Sequence, residues 1–305
     1  MKKFFINAAL FFTPILIFLV GYEVVLRNSN LPNIYSYKNM LLNDKFDGVV
    51  LGNSHALRGM IAENFESEVI SLANVSQSLD IDLLWLKEAL KANKLKFIII
   101  NVSIPTMRGD LSLSKEKWRI KNYNIYTRLY LSNKPINNLE LLNGTQEENL
   151  SNAYNYLINN RDIKADYLKK GSFPISGSCD DFYADAIKTS KRHAKGKPIS
   201  LKNKKILDEV ISLSLLYDFD VFIVTPPAHK TYRSLIPESF SNRLFSYLNH
   251  IESNHKNVYW LNYYKDDRFI DDYFKDSDHL NILGATLLTE KLNAIVKDNI
   301  ANQSL

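Results

Sequence analysis

The start of the chain constrains it most. Lys2 and Lys3 precede an apolar run from Phe4 to Tyr22, broken only by Asn7, Thr13, Pro14 and Gly21. In hydrocarbon a segment satisfies its backbone only as a helix or a closed barrel. This run of about 19 residues approaches the ~20 that a spanning helix needs. Pro14 is tolerable in such a helix. A cleaved signal peptide would also begin this way. However, no small-x-small pair follows, and Gly21-Tyr22-Glu23-Val24-Val25 offers a signal peptidase little. An uncleaved anchor over residues 1–26 is therefore expected. By the positive-inside rule Lys2 and Lys3 stay cytoplasmic, which puts the chain after Arg27 on the periplasmic side of the inner membrane. No second run of comparable length exists, so a single crossing is expected.

Past the anchor the pattern changes. Residues 27–45 are polar and Asn-rich and read as a linker. From residue 46 on, short apolar runs alternate with helical periodicity. Residues 47–52, 68–73, 96–100, 220–224 and 257–261 read as strands, and 80–93, 201–217, 237–255 and 282–300 as helices. Strands separated by helices imply a parallel sheet covered on both faces. The expected fold is therefore α/β, a three-layer α/β/α domain over 46–300. Between 105 and 200 the alternation fails, leaving a stretch rich in Asn, Tyr, Lys and Ser with one helix near 147–159. It reads as an insertion over the carboxyl edge of the sheet, since so long a loop is unusual unless functional or structured.

Charge narrows the function. The net charge is +5, and basic residues gather only between Lys188 and Lys205, including Lys191, Arg192, Lys195 and Lys197. A nucleic-acid binder usually carries a denser stripe, so no nucleic-acid partner is expected. Cys179 is the only cysteine, which excludes an intrachain disulfide. The six histidines lack ligand spacing, so no metal is expected, and nothing in the sequence calls for a cofactor.

In parallel sheets the ligand site lies beyond the carboxyl ends of the strands. Ser54 stands there, after Val49-Val50-Leu51-Gly52-Asn53. A serine at a strand-to-helix turn can face solvent while backbone N–H groups point at the same spot; glycine and serine are also ordinary turn residues. The second segment is Phe274-Lys275-Asp276-Ser277-Asp278-His279-Leu280-Asn281. A serine nucleophile needs a base, and the base needs an acceptor to hold its tautomer. Asp276 and His279, three apart, can share one tight turn; alternatively Asp276 or Asp278 merely caps the helix that follows. His55, beside Ser54, and His229, after Pro226-Pro227, stand where substrate could touch them. Trp118, Tyr123, Tyr126 and Tyr130 could stack on sugar rings or simply fill a core.

Gly52-Asn53-Ser54 resembles the Gly-Asp-Ser block of SGNH/GDSL hydrolases, with Asn53 in place of Asp. Asp276-Ser277-Asp278-His279 matches their Asp-x-x-His block. The continuation through Leu280-Asn281 and Gly284-Ala285 is similar to bacterial cell-surface branches. Ser71 to Ser78 resembles the second block, with Ala73 and Ser76 where the family has glycine. Asn101-Val102-Ser103 corresponds to the third, a Gly-x-Asn, with Ser103 on the asparagine and Asn101 on the glycine. Thr225-Pro226-Pro227 resembles a strand end frequent in the family.

The resemblance implies an acyl-enzyme on Ser54, with His279 as general base and Asp276 as its orienter. It implies an oxyanion hole from the Ser54 and Ser76 N–H groups, with Ser103, Asn101 or a residue of the insertion substituting for the missing asparagine. Such a donor is worth about 10²–10³ in rate. Asn53, His55 and His229 would contact substrate. By analogy with anchored relatives, the substrate is an acyl group, typically acetyl, on a surface or secreted polysaccharide, and glycan-assembly machinery is the expected partner. Both hydrolysis and transfer to a sugar hydroxyl fit. The rival reading is an inactive SGNH-like protein that binds polysaccharide or an assembly partner. The family pattern selects Asp276 over Asp278, which is expected to point elsewhere and cap the helix beginning near Leu280.

Overall fold

The computed structural model describes residues 1–127, 129–159, 169–194 and 199–303. Lys195 and Lys197 of the basic cluster, and 160–168 of the expected insertion, lie outside them. In chain order the helices are α1 (Lys2–Ser29), α2 (Tyr37–Asn43), α3 (Ser54–Gly59), α4 (Leu79–Ala92), α5 (Ile120–Asn122) and α6 (Gln146–Ile158). They continue with α7 (Phe182–His193), α8 (Leu201–Tyr217), α9 (Lys230–Leu235), α10 (Glu238–Asn254) and α11 (Ile282–Gln303).

The five apolar runs, dense in Val, Ile and Phe, become strands because such residues pack well on a pleated surface. They are β1 (Gly48–Leu51), β2 (Val69–Ser71), β3 (Phe97–Asn101), β4 (Asp220–Thr225) and β5 (Val258–Asn262). All pair in parallel in the order β2-β1-β3-β4-β5. Val50, Phe97, Ile99, Phe222 and Val224 form one cluster with Leu57 of α3 and with Leu288, Leu292 and Val296 of α11. The alternate residues Val49, Leu51, Ile98, Ile100, Val221 and Ile223 are also buried. The two-residue period turns them to the opposite face, where α4 packs on β1 and α8 on β4. The fold is therefore α/β in three layers. Its order places the ends of β1 and β3 side by side at the middle of the carboxyl edge.

The chain divides into two units. One comprises Ser36–Glu116 and Tyr167–Leu305 and holds the sheet. The other comprises Met1–Tyr35 and Lys117–Asp166, with α1 and α6 packed together. The stretch expected as one insertion over 105–200 is thus shared between the units. The expected linker carries structure: α1 runs on to Ser29 and α2 follows. Ile34, Tyr37, Met40 and Leu41 are buried apolar residues that a count of polar side chains in 27–45 conceals. α1 is long and apolar enough to cross a membrane, as an anchor or a signal sequence would be.

Candidate active site

At the end of β1, Gly52 adopts φ +136°, and a Cβ there would lie 2.8 Å from the Asn101 Cβ. Only glycine fits this turn on both counts. The turn presents Asn53 as N-cap of α3. Asn53 Oδ1 accepts the His55 N–H (3.0 Å) and Asn101 Nδ2–H (2.8 Å), and it lies 2.9 Å from His55 Nδ1. Because a backbone N–H only donates, this Asn53 atom is the carbonyl oxygen, and His55 Nδ1 must carry a proton to bond it. Asn53 Nδ2 meets Thr106 Oγ1 at 3.3 Å. Ser54 opens α3 immediately beyond.

The other turn arrives from the far end of the chain. Ser54 Oγ lies 2.8 Å from His279 Nε2. On the other side of the ring, Nδ1 is 3.0 and 3.1 Å from the two Asp276 oxygens. Asp276 Oδ1 also accepts the backbone N–H groups of Asp278 (3.1 Å) and His279 (2.8 Å). One tight turn thus delivers both carboxylate and ring. Asp185 of α7 braces it, accepting the Ser277 N–H (3.0 Å) and Oγ–H (2.5 Å).

Asp278 does not point away as expected, nor does it cap the last helix. Asn281 does that, its Oδ1 accepting the Leu283 and Gly284 N–H groups at 3.0 and 3.1 Å. Asp278 is 3% exposed and faces three rings. Its Oδ1 lies 3.2 Å from His279 Nδ1. Its Oδ2 lies 3.3 Å from His55 Nε2 and 3.7 Å from His193 Nδ1, yet makes no hydrogen bond among the described residues. With Asp276 turned to His279 and Ser277 held by Asp185, the next side chain rotates inward. The rings of His55 and His279 stack at 4.7 Å.

These contacts set the charges. Burial opposes protonation of His279, but the charge of Asp278 and the Asp276 and Asp278 contacts outweigh it and lift the pKa to about 9. Burial would raise Asp278, yet the charge of His279 and its contact hold it well below the usual carboxylate range. Burial lowers His55 despite Asp278 and takes His193 down to about 4. A neutral His55 with its proton on Nδ1 turns a bare Nε2 toward Asp278. That carboxylate's charge then acts chiefly on His279. The donors of His55, Asp278 and His279 lie within 4.8 Å of one another and are of types that hold metal ions. The sequence could not show this grouping, because the fold assembles it from two distant turns.

The remaining expected residues sort by what they touch. Ser76 takes φ +58° in a turn closed by Gln77 N–H to Asn74 O at 3.1 Å. The Asn74 N–H donates to Gly52 O (3.1 Å), joining this turn to the one carrying Ser54. The Ser54 and Ser76 N–H groups donate to no described residue. Beneath both turns, fully buried Asp82 accepts from Gln77 Nε2 at 2.7 Å. Burial raises Asp82 to about 7, although Gln77 and the Gly52 amide favour its charge. Asn101 is fully buried, its amide donating to Asn53 and to Thr106 Oγ1 (3.3 Å), so it buttresses the turn and offers no donor outward. Ser103 Oγ pairs with Thr106 Oγ1 at 2.8 Å. The His229 N–H donates to Ser277 O (3.1 Å), but its ring nitrogens engage Thr231 Oγ1 (2.7 Å) and Asp271 (3.1 Å). It steadies the 276–279 turn from outside. Tyr123 is core, and Tyr126 O–H donates to Glu140; Trp118 and Tyr130 are exposed.

Asp185 and His193 had no signal in the sequence, since their partners lie far away along the chain, and Asp82 had none because nothing local marks its burial beneath the two turns. Asp278 stood in plain view beside His279, but spacing alone does not say which way a side chain turns.

No protein-family model matches the chain, and no curated protein matches it in sequence. Among solved structures it is similar to a candidate platelet activating factor from Streptococcus pneumonia, at 12% identity and a TM-score of 0.43, covering 94% of this chain and 98% of that one. It is also similar to a candidate acylhydrolase from Bacteroides fragilis (13%, TM-score 0.41, covering 86% and 95%). A third is a GDSL-like lipase from Bacteroides thetaiotaomicron (12%, TM-score 0.40, covering 89% and 100%).

Proposed function

We propose that the chain is a serine esterase or O-acyltransferase of the SGNH type, working through an acyl-enzyme on Ser54. The observation that carries this reading is the unbroken line from Ser54 Oγ to His279 Nε2 (2.8 Å) and from His279 Nδ1 to Asp276 (3.0 Å). In the first step Ser54 Oγ bonds to the ester carbonyl carbon while its proton passes to His279 Nε2. Asp276 keeps the other ring proton on Nδ1 and stabilises the imidazolium. The Ser54 and Ser76 N–H groups receive the developing oxyanion, with Ser103 Oγ as the one expected side-chain donor not committed to Asn53. The tetrahedral species collapses, the ester C–O bond breaks, and the leaving alkoxide takes the proton from His279. Water or a sugar hydroxyl then repeats the sequence on the acyl-enzyme, giving hydrolysis or transfer.

The acyl group in this reading is acetyl and its carrier a surface or secreted polysaccharide, by the resemblance to anchored cell-surface relatives; glycan-assembly machinery would be the partner. α1 crosses the inner membrane once as an uncleaved anchor, with Lys2 and Lys3 cytoplasmic and the sheet-bearing domain periplasmic. Asn53 and His55 flank the bound ester. A fluorophosphonate probe tests the chemistry: it should label the protein at Ser54 and nowhere else. Absence of labelling in folded protein would sink catalysis and leave the polysaccharide-binding alternative, which the engaged Asn101 amide favours.

A further inference from the structure

α1 is longer than a bilayer requires. Its 28 residues rise ~42 Å at 1.5 Å each, against ~30 Å of hydrocarbon. With Lys2 and Lys3 at the cytoplasmic headgroups, about 20 residues fill the apolar slab. The turns from Glu23 onward then stand at or beyond its outer boundary. There the helix surface changes character: Phe4 to Val20 is largely exposed and apolar, whereas Glu23, Leu26 and Ser29 are buried.

The 117–166 segment provides the cover. Glu23 pairs with Arg27 at 2.7 Å and accepts the backbone N–H groups of Glu140 (3.0 Å) and Leu141 (2.8 Å). Glu140, itself fully buried, pairs with Lys121 at 2.6 Å. A carboxylate at the edge of the hydrocarbon is costly unless covered, and here protein covers it.

The direction of α6 follows from its ties. Asn30, just past the end of α1, bonds Asn149 (3.5 Å) and Asn152 (2.8 Å), both near the start of α6. α6 also packs along α1. Since α1 ends where α6 is tied, the rest of α6 must run back toward the membrane. Its last turn then lies level with roughly Tyr22–Val25, at 1.5 Å per residue. Along α6, Leu150, Tyr154, Leu157 and Ile158 stand at positions i, i+4, i+7 and i+8, which is one helix face. All four are more than half exposed. The acidic Glu147 and Glu148 sit at the opposite end.

We propose that this face of α6 rests in the outer leaflet of the same bilayer that α1 crosses, a second lipid contact beside the anchor. Leu157 and Ile158 enter the boundary of the acyl chains, and Tyr154 and Tyr156 lie at headgroup level, where tyrosine is favoured. The face belongs to a helix packed on α1 and tied to its outer end, beside the segment read as crossing the bilayer, which is why lipid is its occupant. This inference rests on the anchor reading, and the test separates the two. The full chain carrying Cys179→Ser is labelled with a polarity-sensitive fluorophore at Phe12→Cys, Leu157→Cys or Glu147→Cys. Each is reconstituted in phosphatidylethanolamine–phosphatidylglycerol vesicles containing lipids spin-labelled at shallow or deep chain positions. The expected result is deep quenching at 12, shallow quenching at 157 and none at 147, a severalfold contrast between the last two. Quenching at 12 but not at 157 overturns the docking of α6 and leaves the anchor standing. A blue-shifted, unquenched label at 157 likewise overturns it, because protein and not lipid then covers the face. Quenching at neither position removes the anchor itself, and the inference with it.

Discussion

The two turns that meet at Ser54 and His279 hold their side chains by different means. The turn after β1 is neutral: Asn53, Asn101 and Thr106 tie it through amide and hydroxyl groups. The turn at 276–279 is charged, with Asp276, Asp278 and Asp185 arranged around it. Neutral hydrogen bonds fix Asn53, next to the nucleophile, and the nearest titrating carboxyl, Asp82, lies beneath the turn and touches only its backbone at Gly52. Carboxylates around His279 make its proton affinity the adjustable quantity. In the proposed mechanism one turn sets where the reaction happens and the other sets when the base is ready.

If that division holds, the largest effect belongs to the atom the first turn exists to present. Ser54→Ala should abolish fluorophosphonate labelling and cut ester turnover by about 10⁶, as loss of a serine nucleophile does elsewhere. Its thermal midpoint should hardly move. Adding Asp276→Asn to Ser54→Ala should cost almost nothing further, since residues acting as one unit are not additive. Additive losses would mean that the turns do not act on the same step.

Next in size is the charged turn. Asp276→Asn leaves the shape but allows the wrong histidine tautomer, a change worth about 10⁴ in turnover in a serine protease. Assayed on a chromogenic acetyl ester, the variant should lose activity on that scale while keeping its fold. A loss below about tenfold would transfer the orienting role to Asp278.

What the sequence allowed to be read follows the same boundary. The strands were legible because β1, β3 and β4 are buried on both faces and so read as unbroken apolar runs. The Gly52-Asn53-Ser54 turn and the Asp276 to His279 turn were each legible because each lies within a few consecutive residues. The second carboxylate was not: Asp278 turns inward toward His55 and His193, which come from distant parts of the chain, in a turn braced by Asp185, 92 residues from Ser277. The packing of 117–166 with α1 was hidden for a related reason. Many of its contacts are polar, from Glu23 to the Glu140 and Leu141 N–H groups and from Asn30 to Asn149 and Asn152, and leave no periodic trace. Asn101 looked like an oxyanion donor from its place in the third-block resemblance, but its amide is committed to Asn53 and Thr106.

The electrostatic half of the comparison can be broken by pH. With His279 lifted to about 9, the base is protonated at neutral pH and cannot accept the Ser54 proton. kcat/KM should therefore rise about tenfold per pH unit and level off above about 9. Stability should run the other way. A histidine whose folded pKa lies above its unfolded value of ~6.5 stabilises fully below that value, and the contribution is lost as pH rises through the folded pKa. Thermal midpoints should thus decline from about pH 6.5 to 9 as activity climbs. Asp278→Asn removes the buried charge next to His279, so the activity midpoint should fall by at least about one unit. At pH 7 this variant should outpace its parent by roughly tenfold, the rate equivalent of that shift. The new amide can donate to His55 Nε2, so the fold should survive. An unmoved midpoint would show that Asp278 does not govern the base.

The smallest effect tests the neutral half, at the turn proposed to supply the second oxyanion donor. Ser76 occupies φ +58°, the left-handed region in which a side chain costs roughly 1–2 kcal/mol relative to glycine. It sits at the second central position of the Asn74–Gln77 turn, where a positive φ favours glycine. Ser76→Gly should relieve that strain, less the entropy that glycine loses on folding. The net gain should be about 0.5–1 kcal/mol, or a few degrees in thermal midpoint for a unit of this size. Activity should stay within about threefold, because the only group the proposed mechanism takes from residue 76 is its N–H, which every residue except proline retains. Ser76→Pro deletes that N–H and should lower kcat by about 10²–10³. Since proline also cannot adopt φ +58°, its loss of activity could come from misfolding, and the glycine variant is the decisive one. A Ser76→Gly protein that is more stable but nearly inactive would show that the serine hydroxyl, and not the backbone, meets the oxyanion.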